Sequence, residues 1–404
     1  MIPLAVPDLT GNEKKYLNDC IDTTYVSSVG AYVNRLEEMV GEATGSRLAV
    51  CTSSGTTGLH AALTAVGVGH GDLVILPTFT FIASANAIRH CGAKPWLFDI
   101  DPSTWCIDVS QVERSLQEEC TISIDLNGKK TVTHSATGQR VAAIMPVYTL
   151  GNLPDMSKLH ELAGQYGLPL IADAACAIGA NYWDEAANES KRLGRLADLS
   201  VLSFNGNKTI TCGGGGAVVG ANERQLAHVK HLTTTARVWP DYDFDEVGFN
   251  YRMTNIQAAV GVAQMERLDR FVGRKREIRR WYKDSLSSYS DSAGVSLFPD
   301  TRGCSCWFSG IVLGKGQGFK QAKDVCERLK ERGIEAKPFW KPVHLQAPYA
   351  DCPVAKKEGG TSTDVADGLW DRIVTLPCST NITDGELEAV SDAVREILLG
   401  QSRG

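Results

Sequence analysis

The sequence has little of what marks several large classes of protein. Its 12 cysteines include no C-x-x-C pair, and only Cys304-Ser305-Cys306 brings two close together. Zinc-ribbon and thioredoxin-like sites are therefore excluded, and the scattered cysteines read as reduced, small apolar residues. Positive charge is not in excess: 41 Lys+Arg against 47 Asp+Glu leave a net charge of -6, no footprint for general nucleic-acid binding. The longest stretch free of Asp, Glu, Lys and Arg, residues 48–71, is broken by Ser, Thr, Gly and His, and makes a poor membrane span. The opening Met1-Ile2-Pro3-Leu4-Ala5-Val6-Pro7-Asp8 lacks the basic and apolar regions of a secretory signal, so the expectation is a cytoplasmic protein. No internal repeat and no low-complexity tract occurs. Neither G-x-x-x-x-G-K-[ST] nor G-x-G-x-x-G is found, so nothing in the sequence demands a nucleoside triphosphate or a dinucleotide.

What is present suits a globular chain with a sizeable core: 404 residues, 43% hydrophobic and 22% charged, with 39 glycines. Short apolar runs alternate with amphipathic patterns from about residue 45 to 220, which predicts an α/β unit with a mostly parallel sheet. The predicted strands are 48–51, 73–76, 94–98, 141–146, 168–172, 199–204 and 217–219. Leu59, Ala62, Leu63 and Val66 repeat at helical spacing between the first two. Asn127-Gly128 and Thr137-Gly138 mark turns in a hairpin-like insertion over 121–140. A strongly basic helical pattern over 267–280 predicts a helix linking two domains, its charges on a solvated face. A large domain over 1–266 would then precede a linking helix and a smaller α+β domain over 267–404, closed by a helix over 384–399.

Three strand ends carry candidate chemistry. Thr52-Ser53-Ser54-Gly55-Thr56-Thr57-Gly58 lies between a strand and a helix, where helix-start amides and small hydroxyls can hold an anion, although such a turn also serves as an ordinary helix cap. Leu170-Ile171-Ala172-Asp173 ends a buried strand in an acid, at the sheet edge where open α/β folds bind ligands. Ser203-Phe204-Asn205-Gly206-Asn207-Lys208 ends another in polar groups and a lysine, followed by the run Gly213 to Gly216. A phosphate turn, a lysine amine and a carboxylate are the parts that run pyridoxal phosphate: the first anchors it, the second forms the Schiff base, and the third keeps the pyridinium nitrogen protonated.

On these residues the chain resembles the DegT/DnrJ/EryC1/StrS family of pyridoxal-phosphate sugar aminotransferases, from Gly30 to Leu376-Pro377. The resemblance implies the aspartate-aminotransferase fold, known as fold type I. It places the phosphate turn on Ser54-Gly55-Thr56, the ring-stacking aromatic on Phe81 of Pro77-Thr78-Phe79-Thr80-Phe81, the pyridinium acid on Asp173, a phosphate serine on Ser203 and the Schiff-base lysine on Lys208, with Asn205 beside them. It implies that Asn250, in Gly248-Phe249-Asn250-Tyr251-Arg252, reaches the phosphate of a neighbouring subunit, hence a homodimer with shared sites. Ser203 to Lys208, the insertion 127–140 and Pro338 to Gln346 resemble the branch that makes 4-amino-4,6-dideoxy-N-acetylhexosamines on nucleotide carriers, including the legionaminic-acid enzymes.

That branch implies Trp340 and His344 at the sugar site; a hydrogen-bonded interdomain role suits His344 equally, and Trp307 reads better as core. Cys176 stands where the family has Gln or Glu near the cofactor's 3-hydroxyl, and Tyr148 where many members have His. Lysine at 208, where the family's dehydratase offshoot has histidine, implies transamination. The implied reaction moves an amino group from L-glutamate to C4 of a nucleotide-linked 4-keto-6-deoxy sugar, with no metal. Transfer to C3, or a cofactor-binding regulator of sugar synthesis, are the alternatives.

Overall fold

Seven strands assemble the main sheet of this computed structural model, which describes residues 1–185, 187–238, 242–315, 319–356 and 362–401, with side chains for all of these except 288–293, 319, 400 and 401. The order is Ala49–Thr52, Gly216–Val219, Leu199–Ser203, Ile171–Asp173, Arg140–Ile144, Leu73–Pro77 and Lys94–Phe98. The step between Ile171–Asp173 and Arg140–Ile144 is made by single bridges, Ile144 to Leu170 and Val147 to Asp173. These strands are almost wholly buried, as expected where helices cover both faces of a sheet. Predicted and observed boundaries differ by three residues at most.

Six of the seven strands are parallel, and Gly216–Val219 runs against both neighbours. The connection before it, 204–215, contains no helix. A parallel return needs a crossover, usually helical, so this segment can only bring the chain back antiparallel. It is also the segment that carries Lys208. The carboxyl ends of the six parallel strands share one edge, the ligand-binding edge of such sheets.

The predicted insertion is a hairpin, Cys120–Ile124 against Lys130–His134, which pairs onward with the start of Arg140–Ile144. Its turn is tied by Asp125, whose carboxylate accepts from the Asn127 and Lys129 amides, with Gly128 at φ 78°. The linking helix runs Leu268–Ala293, longer than predicted, and its basic run is not simply solvated. Lys275 and Arg279 are buried: Lys275 donates to the Cys378 carbonyl and Arg279 to those of Pro299 and Phe308. Arg276 holds the Cys304 carbonyl at 2.9 Å. These cations fasten the helix to loops that offer carbonyls rather than carboxylates.

The second sheet is antiparallel, in the order Ser296–Leu297, Ser309–Val312, Ile373–Leu376 and Lys337–Pro338, packed by helices Phe319–Glu331 and Leu268–Ala293, on both of which helix Asp384–Gln401 lies. The predicted boundary at 266/267 falls between helices Asn255–Met265 and Leu268–Ala293, yet residues 2–6 lie on the far side of it. Ile2 bonds through its amide and carbonyl to Gly333 and Glu335, the Leu4 carbonyl accepts from the Cys378 amide, and Val6 donates to Ser379 Oγ. Among the described residues no helix is long and apolar enough to cross a membrane.

Candidate active site

Ser54 is the N-cap of helix Gly55–Ala65: its hydroxyl accepts from the Thr57 amide at 3.1 Å, and the Thr57 hydroxyl accepts from the Ser54 amide at 3.0 Å. This reciprocal cap satisfies two first-turn donors, while the Gly55 and Thr56 amides have no partner inside the helix. Both residues line a cavity of about 510 Å³. A Cβ on Gly55 would lie 3.0 Å from the Ser203 Cβ, so the hydroxyl-bearing strand end and the helix start meet closely only because residue 55 has no side chain. The result is a concave set of amides and hydroxyls at the positive end of a helix dipole, a cradle for an anion.

Asp173 ends the strand Ile171–Asp173 and is 6% exposed. Burial pushes its carboxyl above the ordinary range. The Ser84 hydroxyl, donating at 2.6 Å, the Ala175 amide at 3.0 Å and the charge of Lys208 oppose that shift without cancelling it. A neighbouring positive charge, such as a protonated ring nitrogen, would favour its ionised form. Ser84 lies in the first turn of helix Ile82–His90, and its hydroxyl also meets Thr80 Oγ1 at 2.8 Å. The sequence reading missed Ser84, because it falls inside a helix and belongs to no motif.

Lys208 stands in the loop after Leu199–Ser203, its Nζ 3.2 Å from Cys176 Sγ and 3.8 Å from the centroid of the Trp307 ring. Cys176 is buried, which raises its thiol, while the lysine charge partly offsets this. Trp307, expected in the core, is 3% exposed and at the same time forms cavity wall, its indole donating to the Asn207 carbonyl at 2.7 Å. Phe339 and Trp340 stack at 4.3 Å beside it, and Phe81, 56% exposed, stands 6.2 Å from Trp340.

The cavity therefore gathers Ser54, Gly55, Thr56, Phe81, Asp173, Cys176, Ser203, Asn205, Lys208 and Trp340. Two predicted residues stay outside it. Asn250 is exposed on its own chain and bridges Thr234. His344 has both ring nitrogens engaged, Nδ1 with Thr78 Oγ1 at 2.6 Å and Nε2 with Asp367 at 2.9 Å, and is not part of the cavity lining. Tyr148 packs in the core rather than on the cavity. A second cavity of about 550 Å³, by the opposite strand ends, offers no unengaged acid: its Arg140 pairs with Asp72, its Asp198 accepts from the Leu170 amide, and the amide of its Gln225, in the first turn of helix Glu223–Thr233, is taken by the Asn222 side chain.

An anion cradle, a buried acid and a lysine amine in one cavity at the carboxyl edge of this sheet define a pyridoxal-phosphate enzyme of fold type I. The donor set fits that cofactor: the cradle would suit its phosphate, Asp173 its ring nitrogen, and Lys208 its aldehyde. The chain belongs to the DegT/DnrJ/EryC1/StrS aminotransferase family, whose model matches residues 7–395, and it is a pyridoxal-phosphate-dependent aminotransferase. It is 35% identical to the GDP-perosamine synthase of Caulobacter vibrioides over 98% of both chains. To the UDP-4-amino-4,6-dideoxy-N-acetyl-beta-L-altrosamine transaminase of Campylobacter jejuni it is 29% identical, over 93% of this chain and 92% of that one. A putative sugar aminotransferase of Streptococcus pneumoniae, solved in its PLP form, shares the fold, with a TM-score of 0.82, 22% identity and 99% of each chain covered.

Proposed function

We propose that the protein transfers an amino group from L-glutamate to C4 of a nucleotide-linked 4-keto-6-deoxyhexose. The observation that carries this reading is the meeting of Lys208, Asp173 and the Ser54–Thr56 helix start in one cavity of a sugar-aminotransferase family member. When bound, the cofactor supplies an aldehyde to carry the amine and a ring to accept electrons. The Ser54, Gly55, Thr56 and Ser203 cradle holds its phosphate. Asp173 holds positive charge at the ring nitrogen and is itself oriented by Ser84. Lys208, on the open side of Trp307, takes a proton from Cα of glutamate and returns one to C4 of the acceptor. Trp307, Phe339 and Trp340 exclude water and pack against the sugar, while His344 braces that wall through Thr78 and Asp367.

Two finer points belong to the same proposal. The resemblance of 127–140, 203–208 and 338–346 to the N-acetyl branch, which includes the legionaminic-acid enzymes, supports an acetamido group at C2. The higher identity to a GDP-perosamine synthase makes GDP the first carrier to try. A homodimer with shared sites is supported by Asn250, which is exposed and outside the cavity of its own chain.

The test is a panel of UDP-, GDP- and dTDP-linked 4-keto sugars, with and without a 2-acetamido group, incubated with glutamate and cofactor. Product NMR is expected to place the new amine at C4. An amine at C3 would move the reaction by one carbon. Cofactor binding with no amination of any sugar and no conversion of glutamate would favour a regulator.

A further inference from the structure

We propose that Cys304 and Cys306 form a reversible intrachain disulfide, a redox-modified site on the loop that ends in the cavity wall. They are the one close pair in the sequence, and the fold turns them toward each other. The Cys306 amide donates to Cys304 Sγ at 3.2 Å, and Cys306 Sγ lies 3.7 Å from Asp300 Oδ1. Both sulfurs and a carboxylate oxygen of Asp300 lie within 4.8 Å of one another. Cys306 takes φ 55°, in the left-handed region, which sets the direction of its Cβ relative to the preceding peptide.

The surroundings favour ionisation of one sulfur and oppose that of the other. Burial alone would raise Cys304, but the hydrogen bonds from Cys306 and the charge of buried Arg279 outweigh it and hold the thiol below its ordinary value. Cys306 is held above its ordinary value, first by its hydrogen bond to Cys304 and then by burial. A thiol whose ionisation is favoured, beside one whose ionisation is opposed, is the arrangement thiol oxidation uses. Both cysteines are 2% exposed, but Asp300 is exposed and reaches the pair from solvent.

The oxidant is a hydroperoxide. The Cys304 sulfur attacks one peroxide oxygen: an S–O bond forms, the O–O bond breaks, and the departing hydroxide takes up the proton that Cys304 released. The Cys306 sulfur then attacks that of Cys304. The S–S bond forms, the S–O bond breaks, and the second hydroxide leaves as water with the proton Cys306 passes to Asp300. Two thiols lose two electrons, and one hydrogen peroxide becomes two waters.

Closing the sulfurs to about 2 Å turns the 304–306 backbone. The next residue is Trp307, whose ring faces the Lys208 amine and whose indole holds the Asn207 carbonyl. The modification therefore acts on the wall behind the catalytic lysine.

The experiment treats full-length, cofactor-loaded protein with hydrogen peroxide, alkylates free thiols in denaturant and digests with trypsin. Peptide 303–315 contains no other cysteine. It is expected to lose both alkyl labels, to become about 2 Da lighter than the unlabelled dithiol, and to regain two labels after dithiothreitol. Cys306→Ser is expected to trap Cys304 as a sulfenic acid that dimedone captures, and Cys304→Ser to leave position 306 unlabelled by dimedone. Peptide 303–315 keeping two alkyl labels, or gaining two oxygens on one sulfur in place of the mass loss, overturns the proposal.

Discussion

The cavity has two walls of different make. The sheet wall consists of strand ends and the helix starts that follow them: Ser54 to Thr56, Asp173, Ser203 and, one loop further, Lys208. Apart from Lys208 its groups are short, and all start from positions fixed by backbone geometry; burial raises the Asp173 carboxyl among them. The aromatic wall consists of Phe81, Trp307, Phe339 and Trp340, whose rings meet at 4.3 to 6.2 Å and which largely ride on loops. The difference separates two tasks. Neighbouring strand ends sit about 4.8 Å apart, which suits reacting groups that must not drift, while loop-borne rings can fit one acceptor or another without disturbing the chemistry.

If that division holds, changes in the sheet wall lower the rate for every substrate, and changes in the aromatic wall alter the choice of acceptor. The largest effect is expected from Lys208→Ala: kcat/KM should fall by at least about 10³-fold with donor and acceptor alike, measured in separate half-reactions. Asp173→Asn should follow, at about 10²- to 10³-fold in kcat, with the cofactor still retained on dialysis. Ser84→Ala refines that prediction. The Ser84 hydroxyl is one of the influences that lower the Asp173 carboxyl, so its loss raises that group further. As pH falls, the ionised form is then lost at a higher pH, and the acid limb of the kcat profile should move upward while the alkaline side approaches the native level.

Neither wall of one chain includes Asn250, and a shared site would make it a third wall. Asn250→Asp should weaken cofactor binding by about tenfold or more, from like charges at close range. Refolded together with Lys208→Ala, at limiting cofactor, it should restore up to about a quarter of native activity, since half of randomly paired dimers would hold one intact site. Mixtures that exchange subunits and stay inactive would return Asn250 to a local role. On the aromatic wall, Trp340→Ala should raise KM for the sugar by about 3- to 10-fold, the value of one aromatic contact, with the glutamate half-reaction unchanged. The smallest effect on turnover is expected at His344. His344→Ala should change kcat and KM less than about twofold, while it destabilises the protein by about 1–2 kcal/mol in denaturant melts, because it removes one side-chain hydrogen bond each from Thr78 and Asp367; Thr363 still donates to Asp367.

The sheet wall was legible in the sequence because strand-end chemistry is local. Asp173 and Lys208 each follow an apolar run, and Ser54 stands where a strand meets a helix. Strand direction was not legible, since an apolar run such as Gly216–Val219 reads alike in either sense; only the helix-free loop before it decides. Ser84 was hidden because its partner lies 89 residues away. His344 drew attention as a titratable residue beside aromatics, yet its contacts with Thr78 and Asp367 depend on folding across 266 and 23 residues. The basic run of the linking helix looked solvated for a similar reason: carbonyls carry no sequence signal, and Lys275 and Arg279 bind carbonyls.

Residues 2–6 contribute Leu4 and Ala5 to the cavity, and their backbone is bonded to residues 333–335 and 378–379. During synthesis these partners emerge long after the segment they hold. At roughly 5–20 residues per second, the ribosome needs roughly 20–75 s to pass from residue 6 to residue 379. Until residue 333 Ile2 and Leu4 lack these partners, and until residues 378–379 the Leu4 carbonyl and the Val6 amide still lack theirs, while the seven-strand sheet is already complete by residue 219. A nascent chain can thus own every reacting group of the sheet wall and still lack a closed pocket. Translation order alone delays the closed pocket until residues 378 and 379 have been made.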